Sequence, residues 1–224
     1  MIRSFAGFLL LLAGASASLS AEESMWSALT QQQHAQLLAG NQVEMEEEIS
    51  GKPWPRFTIY HLVKGTPVDV AAIFWDCELD PKYIPNCLSV RIISRPASWI
   101  HDGEYTLKMP LFLPDEVYVS RNELKRHSAN SYEISWKVLH SRYSESCSGS
   151  LRMEEHDGKT LLCYSNLVVP GSRRLAGLLR STAGSQVVSS VQALVRQIDS
   201  EIEMRSQLLE QQLHSLEHAL ETAK

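Results

Sequence analysis

The sequence predicts an α+β protein in which a curved antiparallel sheet of about six or seven strands is closed by a long C-terminal helix. From Leu88 to Val168, apolar and polar residues alternate in short runs separated by turn residues, which is typical of half-buried strands. From Ser185 to Lys224 there is no Gly or Pro, and apolar residues recur every three or four positions, as in an amphipathic helix. A sheet closed by one helix can enclose a hollow interior, which favours a bound hydrophobic ligand over a surface reaction.

Residues 1–21 have the layout of a secretory signal peptide. Arg3 supplies a positive start, an apolar run extends from Phe5 to Ala13, and Ala15-Ser16-Ala17 offers a cleavage site. A spanning helix needs about 20 apolar residues, and this run is shorter, so cleavage is favoured over a membrane anchor. We therefore expect an exported protein in the periplasm, with secretion as the alternative.

Length and charge bound the function of the mature chain. The 224 residues carry a formal net charge of −5, which becomes one unit more negative when Arg3 leaves with the leader. About 200 remaining residues are enough for one domain with a real core. An acidic chain without a basic cluster is a poor candidate for binding nucleic acids.

The first part of the mature chain, residues 22–42, is predicted to be helical. Gly40 is predicted to be the C′ residue at which this helix stops. Strands are predicted over Val43–Ile49 and Arg56–Lys64. A second helix follows, with Thr66 as N-cap, Pro67 at the first helical position and Asp69 as the capping-box acid.

Five or six strands are predicted between this helix and the last one. The clearest alternation is Tyr132, Ile134, Trp136 and Val138. A two-residue turn at Asp157-Gly158 predicts a hairpin in which paired residue numbers add up to 315.

The C-terminal helix is too long for the sheet that it covers. Ser185 to Lys224 would span about 60 Å at 1.5 Å per residue, whereas a strand of eight residues spans only about 27 Å. We therefore divide the chain into a domain over residues 43–205 and a helical extension over residues 206–224. The extension is expected to project, to pair with another helix or to fray.

Two stretches of the chain resemble the START-like and polyketide-cyclase-like superfamily, which has the helix-grip fold. The first is the capped helix Lys64–Asp76 followed by Tyr83-Ile-Pro-Asn86, and the second runs from Gly149 to Val169-Pro-Gly171. The residues Gln36–Val43 resemble the lead-in of exported bacterial members. The resemblance covers roughly residues 35 to 205, and the tail beyond it departs from the family. It implies that a lipid, sterol or polyketide binds between sheet and helix, and it implies no universal catalytic residue.

A ligand cavity would be lined by the residues expected on the inner face of the sheet and on the long helix. A solid core filled by the same side chains is the alternative, which periodicity alone does not exclude. The predicted ligand-binding residues are Tyr105, Leu107, Met109, Val117, Val119, Tyr132, Ile134, Trp136, Leu151, Met153, Leu162, Tyr164, Leu178, Val188 and Val191.

The four cysteines permit disulfides in an oxidising compartment. The hairpin register places Cys147 and Cys163 on opposite faces, which leaves Cys77–Cys87 as the favoured pair. Four reduced, buried cysteines are the alternative.

No cofactor, metal site or catalytic set is predicted. His214 and His218 share a helix face as zinc ligands can, but solvated helix residues are favoured because the chain ends before a third ligand.

The sequence thus favours binding or transfer of a lipid-like molecule. One alternative is a cyclase or hydrolase acting on a hydrophobic substrate, and another is an interaction protein that uses the stripe Leu209–Leu220, for example as a homodimer. Arg173, Arg174 and Arg180 lie among leucines and suggest peripheral contact with an anionic membrane.

Overall fold

The structure is a computed structural model that describes residues 24–110 and 113–221. The predicted signal peptide and its cleavage site lie outside the described residues.

One antiparallel sheet of eight strands forms the body of the protein, in the order β1-β2-β8-β7-β6-β5-β4-β3. The six or seven predicted strands are therefore too few. The difference arises because the first hairpin joins the same sheet, with β2 paired to the last strand β8. The strands are β1 Val43–Glu47, β2 Arg56–Val63, β3 Cys87–Ala97, β4 Ile100–Leu107, β5 Glu116–Ser128, β6 Ser131–Ser141, β7 Ser144–His156 and β8 Lys159–Pro170.

The predicted register of the last hairpin is confirmed. Gly149 pairs with Asn166 and His156 with Lys159, so each pair of numbers adds up to 315 as expected. Gly158 has a φ of 74° and Asp157 a φ of 48°, which is the left-handed backbone that a two-residue hairpin turn of this kind requires. This register fixes which side chains of β7 and β8 face the interior.

Four α-helices and one short 3-10 helix accompany the sheet: α1 Gln31–Leu38, α2 Pro67–Trp75, the 3-10 helix Cys77–Lys82, α3 Arg173–Met204 and α4 Gln207–Glu221. The helix predicted over residues 22–42 is shorter than expected, because Thr30 and Gln33 form a capping box that starts α1 at Gln31. Its stop at Gly40 is confirmed by a φ of 80°.

The capping prediction for α2 is confirmed in full. The Thr66 side chain accepts a hydrogen bond from the Asp69 amide, the Asp69 side chain accepts one from the Thr66 amide, and Pro67 occupies the first turn. The helix is buried almost throughout, because it lies between the sheet and α4.

The C-terminal helix is not continuous, which corrects the prediction of a single long helix. Arg205 has a φ of 43° and ends α3, and the Ser206 hydroxyl then accepts a hydrogen bond from the Leu209 amide at the start of α4. Of the three expected outcomes for the tail, pairing with another helix is the one observed. That helix is α2 of the same chain, against which Leu209 and Leu216 are buried.

A second, smaller cluster covers part of the outer face of the sheet. Met25, Leu29 and Leu37 pack there on side chains of β1, β2 and β8, including Leu62 and Leu161. The N-terminal segment thus shields one outer patch, while all later helices lie on the concave inner face.

Candidate functional site

The concave face of the sheet is filled at one end and empty at the other. At the solid end, Tyr132, Leu151, Met153 and Leu162 are buried under α2, α4 and the C-terminal half of α3. At the hollow end, the N-terminal half of α3 covers a cavity of about 760 Å³. Its sheet wall includes Tyr105, Tyr118, Trp136 and Tyr164.

Seven of the predicted ligand-binding residues line this cavity, and they are Tyr105, Leu107, Met109, Ile134, Trp136, Tyr164 and Val191. Four others face the same interior but belong to the solid end, namely Tyr132, Leu151, Met153 and Leu162. Leu178 is 49% exposed on the outer side of α3. Val188 lines a separate cavity between α3 and the hairpin of β1 and β2.

The placement of Val117 and Val119 was wrong. The cavity is lined from β5 by the opposite set, Glu116, Tyr118, Ser120 and Asn122, so the two valines lie on the outer face. The error has a physical cause: β5 carries polar and aromatic residues towards the cavity and aliphatic residues outward. The usual assumption that apolar residues point inward therefore predicts the wrong face of this strand.

One glycine-permitted contact and two aromatic pairs shape the cavity floor. A Cβ at Gly149 would lie 2.5 Å from Trp136 Cζ2, so only glycine allows the indole to lie over β7. The indole N–H donates to Asn166 Oδ1 at 3.2 Å, and its ring centroid is 5.2 Å from that of Tyr164. Tyr105 stacks on Tyr118 with centroids 4.9 Å apart.

Two carboxyl groups line the cavity, and their environments differ. Glu116 accepts hydrogen bonds from the Arg142 and Tyr143 amides and from the Ser141 hydroxyl, so it fastens a turn. Asp80, at the 3-10 helix, accepts one from within the described part of the chain, from the Tyr83 hydroxyl at 2.9 Å. Burial raises the pKa of Asp80 to about 7, and the Tyr83 hydrogen bond opposes this only in part.

Cys77 and His101 meet in the wall of the cavity, with 3.5 Å between Cys77 Sγ and His101 Nε2. Burial raises the pKa of the Cys77 thiol to about 12 and lowers the pKa of His101 to about 4. Both groups are therefore neutral at neutral pH. A neutral thiol beside a weakly basic imidazole is not an activated nucleophile.

The predicted disulfide between Cys77 and Cys87 is not formed in the structure, where all four cysteines are free. Cys77 is turned towards His101 at the start of the 3-10 helix, whereas Cys87 begins β3 after the loop. Both thiols line the cavity, together with Cys147. Four reduced cysteines, the alternative expected from the sequence, describe this arrangement.

A few polar contacts hold the N-terminal half of α3 over the cavity. The Trp54 indole N–H donates to the Ala176 carbonyl at 3.0 Å on one side. On the other side, the Gln186 amide donates to the Pro85 carbonyl at 3.1 Å and accepts from Asn86 at 2.9 Å. Sequence analysis missed Trp54 and Asp80 as lining residues, since both lie in segments without strand periodicity.

Two further observations concern charges and membranes. Arg121 lies on the outer face and forms a bidentate salt bridge with Asp102, at 2.7 and 2.9 Å.

His214 and His218 are exposed on α4, and residues 24–110 and 113–221 contain no group of three potential metal ligands. Within the same ranges, every helix is too short or too polar to cross a bilayer.

Searches by sequence give no match, either to protein-family models or to curated proteins. Solved structures do match. The STAR-related lipid transfer protein from Xanthomonas axonopodis superposes with a TM-score of 0.63 at 12% identity, covering 70% of this chain and 93% of that one. Human STARD10 gives 0.55 at 10% identity over 72% of each chain. The ZhuI aromatase/cyclase from Streptomyces sp. R1128 gives 0.54 at 14% identity, covering 66% and 96%.

The sheet order, the covering helix and the cavity agree with these superpositions. At such low identity the likeness concerns the fold, and it confirms the resemblance found in the sequence. The chain therefore has the helix-grip fold of the START-like superfamily.

Proposed function

We propose that this protein binds and carries a hydrophobic, lipid-like molecule in the cavity at the hollow end of the sheet. The observation that carries the proposal is the cavity itself: about 760 Å³ of space, within the usual range for small-molecule sites, lined largely by aromatic and aliphatic side chains. Burying apolar ligand surface there would contribute about 25 cal/mol per Å².

Access to the cavity is proposed to involve α3. Its N-terminal half rests on the cavity rather than on a packed core. A few hydrogen bonds and the exposed ion pair of Arg180 with Glu48 tie it to the first hairpin and to the segment before β3. Breaking such bonds costs little when water replaces the partners, since the net stabilisation by each is about 1 kcal/mol. The C-terminal half, with Ile198 fully buried, would stay in place as the hinge side.

Binding is favoured over nucleophilic catalysis. The thiol nearest to a histidine is Cys77, and its raised pKa keeps it protonated at neutral pH. A cyclase of the type named among the similar structures would need an acid or base in the cavity, and Asp80 is the carboxyl placed for that role. Conversion of a bound polyketide, followed by mass spectrometry, tests this second candidate against simple binding.

Export to the periplasm is part of the proposal, supported by the layout of residues 1–21. Contact with an anionic membrane is proposed at the N-terminal end of α3, where Arg173 and Arg174 are exposed and Leu178 is 49% exposed. Arg180 is less available for that role because it pairs with Glu48 at 3.2 Å.

The test of binding uses two neighbouring residues of β6. Val138 lines the cavity, whereas Leu139 is 47% exposed on the outer face. Val138→Trp should fill part of the cavity and weaken binding of the fluorescent probe N-phenyl-1-naphthylamine at least tenfold, while the matched control Leu139→Trp should leave it unchanged.

Native mass spectrometry of the purified wild type should also detect co-purified lipid that Val138→Trp lacks. A wild type that carries no lipid and leaves the probe dark would overturn the proposed function. Equal probe affinity for the two tryptophan variants would place binding outside the cavity.

A further inference from the structure

Asp80 stands out among the polar groups of the cavity because it is only partly satisfied. One carboxylate oxygen, Oδ1, accepts the hydrogen bond of the Tyr83 hydroxyl at 2.9 Å. The other, Oδ2, has no hydrogen-bond or ion-pair partner within residues 24–110 and 113–221, and Asp80 lines the cavity. A free acceptor on a desolvated carboxyl is unfavourable unless something occupies it.

The local backbone holds this carboxyl in place. The amides of Tyr83 and Ile84 both donate to the Asp80 carbonyl, at 3.1 and 2.8 Å, so the turn brings the Tyr83 ring back over the aspartate. Pro81 follows directly inside the 3-10 helix and limits its backbone freedom. The carboxyl is therefore preorganised rather than a mobile surface group.

Within residues 24–110 and 113–221, no cation is among the groups that shift the pKa of Asp80, although Lys108 lines the same cavity. Burial is the largest cause of the raised pKa of Asp80, and the negative charge of Asp76 on the same segment raises the pKa further. Burial is the main cause of the raised pKa of several thiols and phenols around the cavity, and the charge of Asp80 raises the pKa of each further. These groups are Cys77, Cys87, Tyr105, Tyr118 and Tyr164. Asp80 is thus an isolated carboxyl that faces hydroxyl and thiol groups.

Two other acceptors of the lining, Glu116 and Asn166, already have donors, and His101 Nδ1, which also lacks a partner among the described residues, is buried. Glu116 accepts three hydrogen bonds from the turn after β6. Asn166 accepts from Trp136 at 3.2 Å and from Cys147 at 3.4 Å. Of the two described carboxyl groups of the lining, Asp80 is therefore the one with an acceptor oxygen left for a ligand.

We propose that Asp80 is the recognition residue of this site, and that it selects an apolar molecule whose one polar end is a hydroxyl group. The inference rests on the proposed binding function and names its ligand class. A ligand hydroxyl would donate to the free oxygen of Asp80 while the apolar remainder fills the aromatic part of the cavity. A carboxylate end would be disfavoured, because two like charges would meet in a poorly solvated site.

The test compares two ligands that differ only in the donor. Displacement of N-phenyl-1-naphthylamine should show that wild type binds 1-dodecanol about tenfold more tightly than its methyl ether, the difference expected for one hydrogen bond to a buried carboxyl. At pH 8, where Asp80 is largely ionised given its pKa of about 7, dodecanoate should bind more weakly than 1-dodecanol.

Two variants and one control assign the preference to Asp80. Asp80→Leu should reduce the ratio of alcohol to ether affinity to about one while retaining binding of the ether. Asp80→Asn keeps an acceptor oxygen and should abolish only the discrimination against dodecanoate. Glu78→Gln is the matched control, since Glu78 lies two residues earlier on the same 3-10 helix, is exposed and is not part of the cavity lining.

The outcomes separate the two proposals. A wild type that binds none of the probes overturns the proposed function. Binding with equal affinity for alcohol and ether, unchanged in Asp80→Leu, overturns the role of Asp80 and leaves the function intact. Dodecylamine binding tenfold more tightly than 1-dodecanol would replace the hydroxyl class with a cationic one, and tight binding of dodecanoate would likewise refute it.

Discussion

The two ends of the concave face are built from the same strands but are packed differently. On β6, Tyr132 is 3% exposed within the solid end, whereas Trp136 and Val138, only a few residues on, line empty space. On β8, Leu162 is fully buried and Tyr164 lines the cavity. What differs is the layer above: α2 and α4 pack on the solid end, whereas the hollow end is covered mainly by α3 and is bordered by the end of α2 and the 3-10 helix.

This contrast indicates that rigidity and function are divided along each strand. The solid end anchors the sheet and both halves of the C-terminal region, so the hollow end can lack a packed core without unfolding the domain.

The largest effect is expected from removing α4. A chain that ends at Ser206 loses the buried Leu209 and Leu216 and exposes the apolar side of α2. Full burial of one leucine contributes about 1.5–3 kcal/mol, so the truncation should lower the free energy of unfolding on the order of 4 kcal/mol. Urea denaturation followed by circular dichroism measures this.

A chain ending at Glu221 is the control for that truncation and should unfold like the wild type. If the chain ending at Ser206 kept full stability but changed its oligomeric state, α4 would act between copies, as the sequence alone allowed. The burial of its apolar stripe inside one chain argues for the first result.

The role of α4 shows where sequence reasoning reached its limit. The spacing of Leu209–Leu220 indicated an amphipathic stripe, and pairing with another helix was among the expected outcomes. The sequence did not identify α2 as the partner helix. The break between α3 and α4 depends on a left-handed backbone at Arg205, and arginine has no strong preference for that conformation. Without a Gly or Pro at the break, periodicity alone continues the helix.

The second prediction compares one leucine from each end. Leu151 of β7 has no exposed surface in the solid end, whereas Leu107 of β4 lines the cavity. Leu151→Ala should cost about 2–5 kcal/mol of stability because it creates a void in packed surroundings. Leu107→Ala should cost roughly 1 kcal/mol, since it enlarges space that already exists. Thermal unfolding of both variants provides the measurement, and similar losses would contradict the division into two ends.

Sequence reasoning identified the inner face of most strands but not the division into two ends. Alternation gave Trp136, Leu151 and Tyr164 the correct orientation, since each strand has a period of two. It failed on β5, where Tyr118 faces inward and Val119 outward. A cavity produces no periodic pattern in the sequence. Its extent depends on where the helices pack over the sheet, which the sequence pattern does not predict.

The third prediction concerns pH and the hollow end, where Asp80 and His101 both line the cavity. The usual pKa of an aspartate is 3.8, and in the folded chain that of Asp80 is about 7. Between those values the folded state holds a proton that the unfolded state has lost, so this group lowers stability as the pH rises. His101 has a usual pKa of 6.5 and a folded pKa of about 4, so it lowers stability as the pH falls between 6.5 and 4.

In the wild type these two effects oppose each other between pH 4 and 6.5. Asp80→Asn removes one of them, so its stability relative to wild type should be highest near pH 8 and decline towards pH 4, by on the order of 1 kcal/mol per pH unit. Urea midpoints measured at half-unit steps of pH give both profiles. Adding His101→Gln to Asp80→Asn should remove the decline in stability between pH 6.5 and 4. Parallel profiles of wild type and Asp80→Asn would mean that Asp80 ionises freely, in contact with water rather than with an apolar cavity.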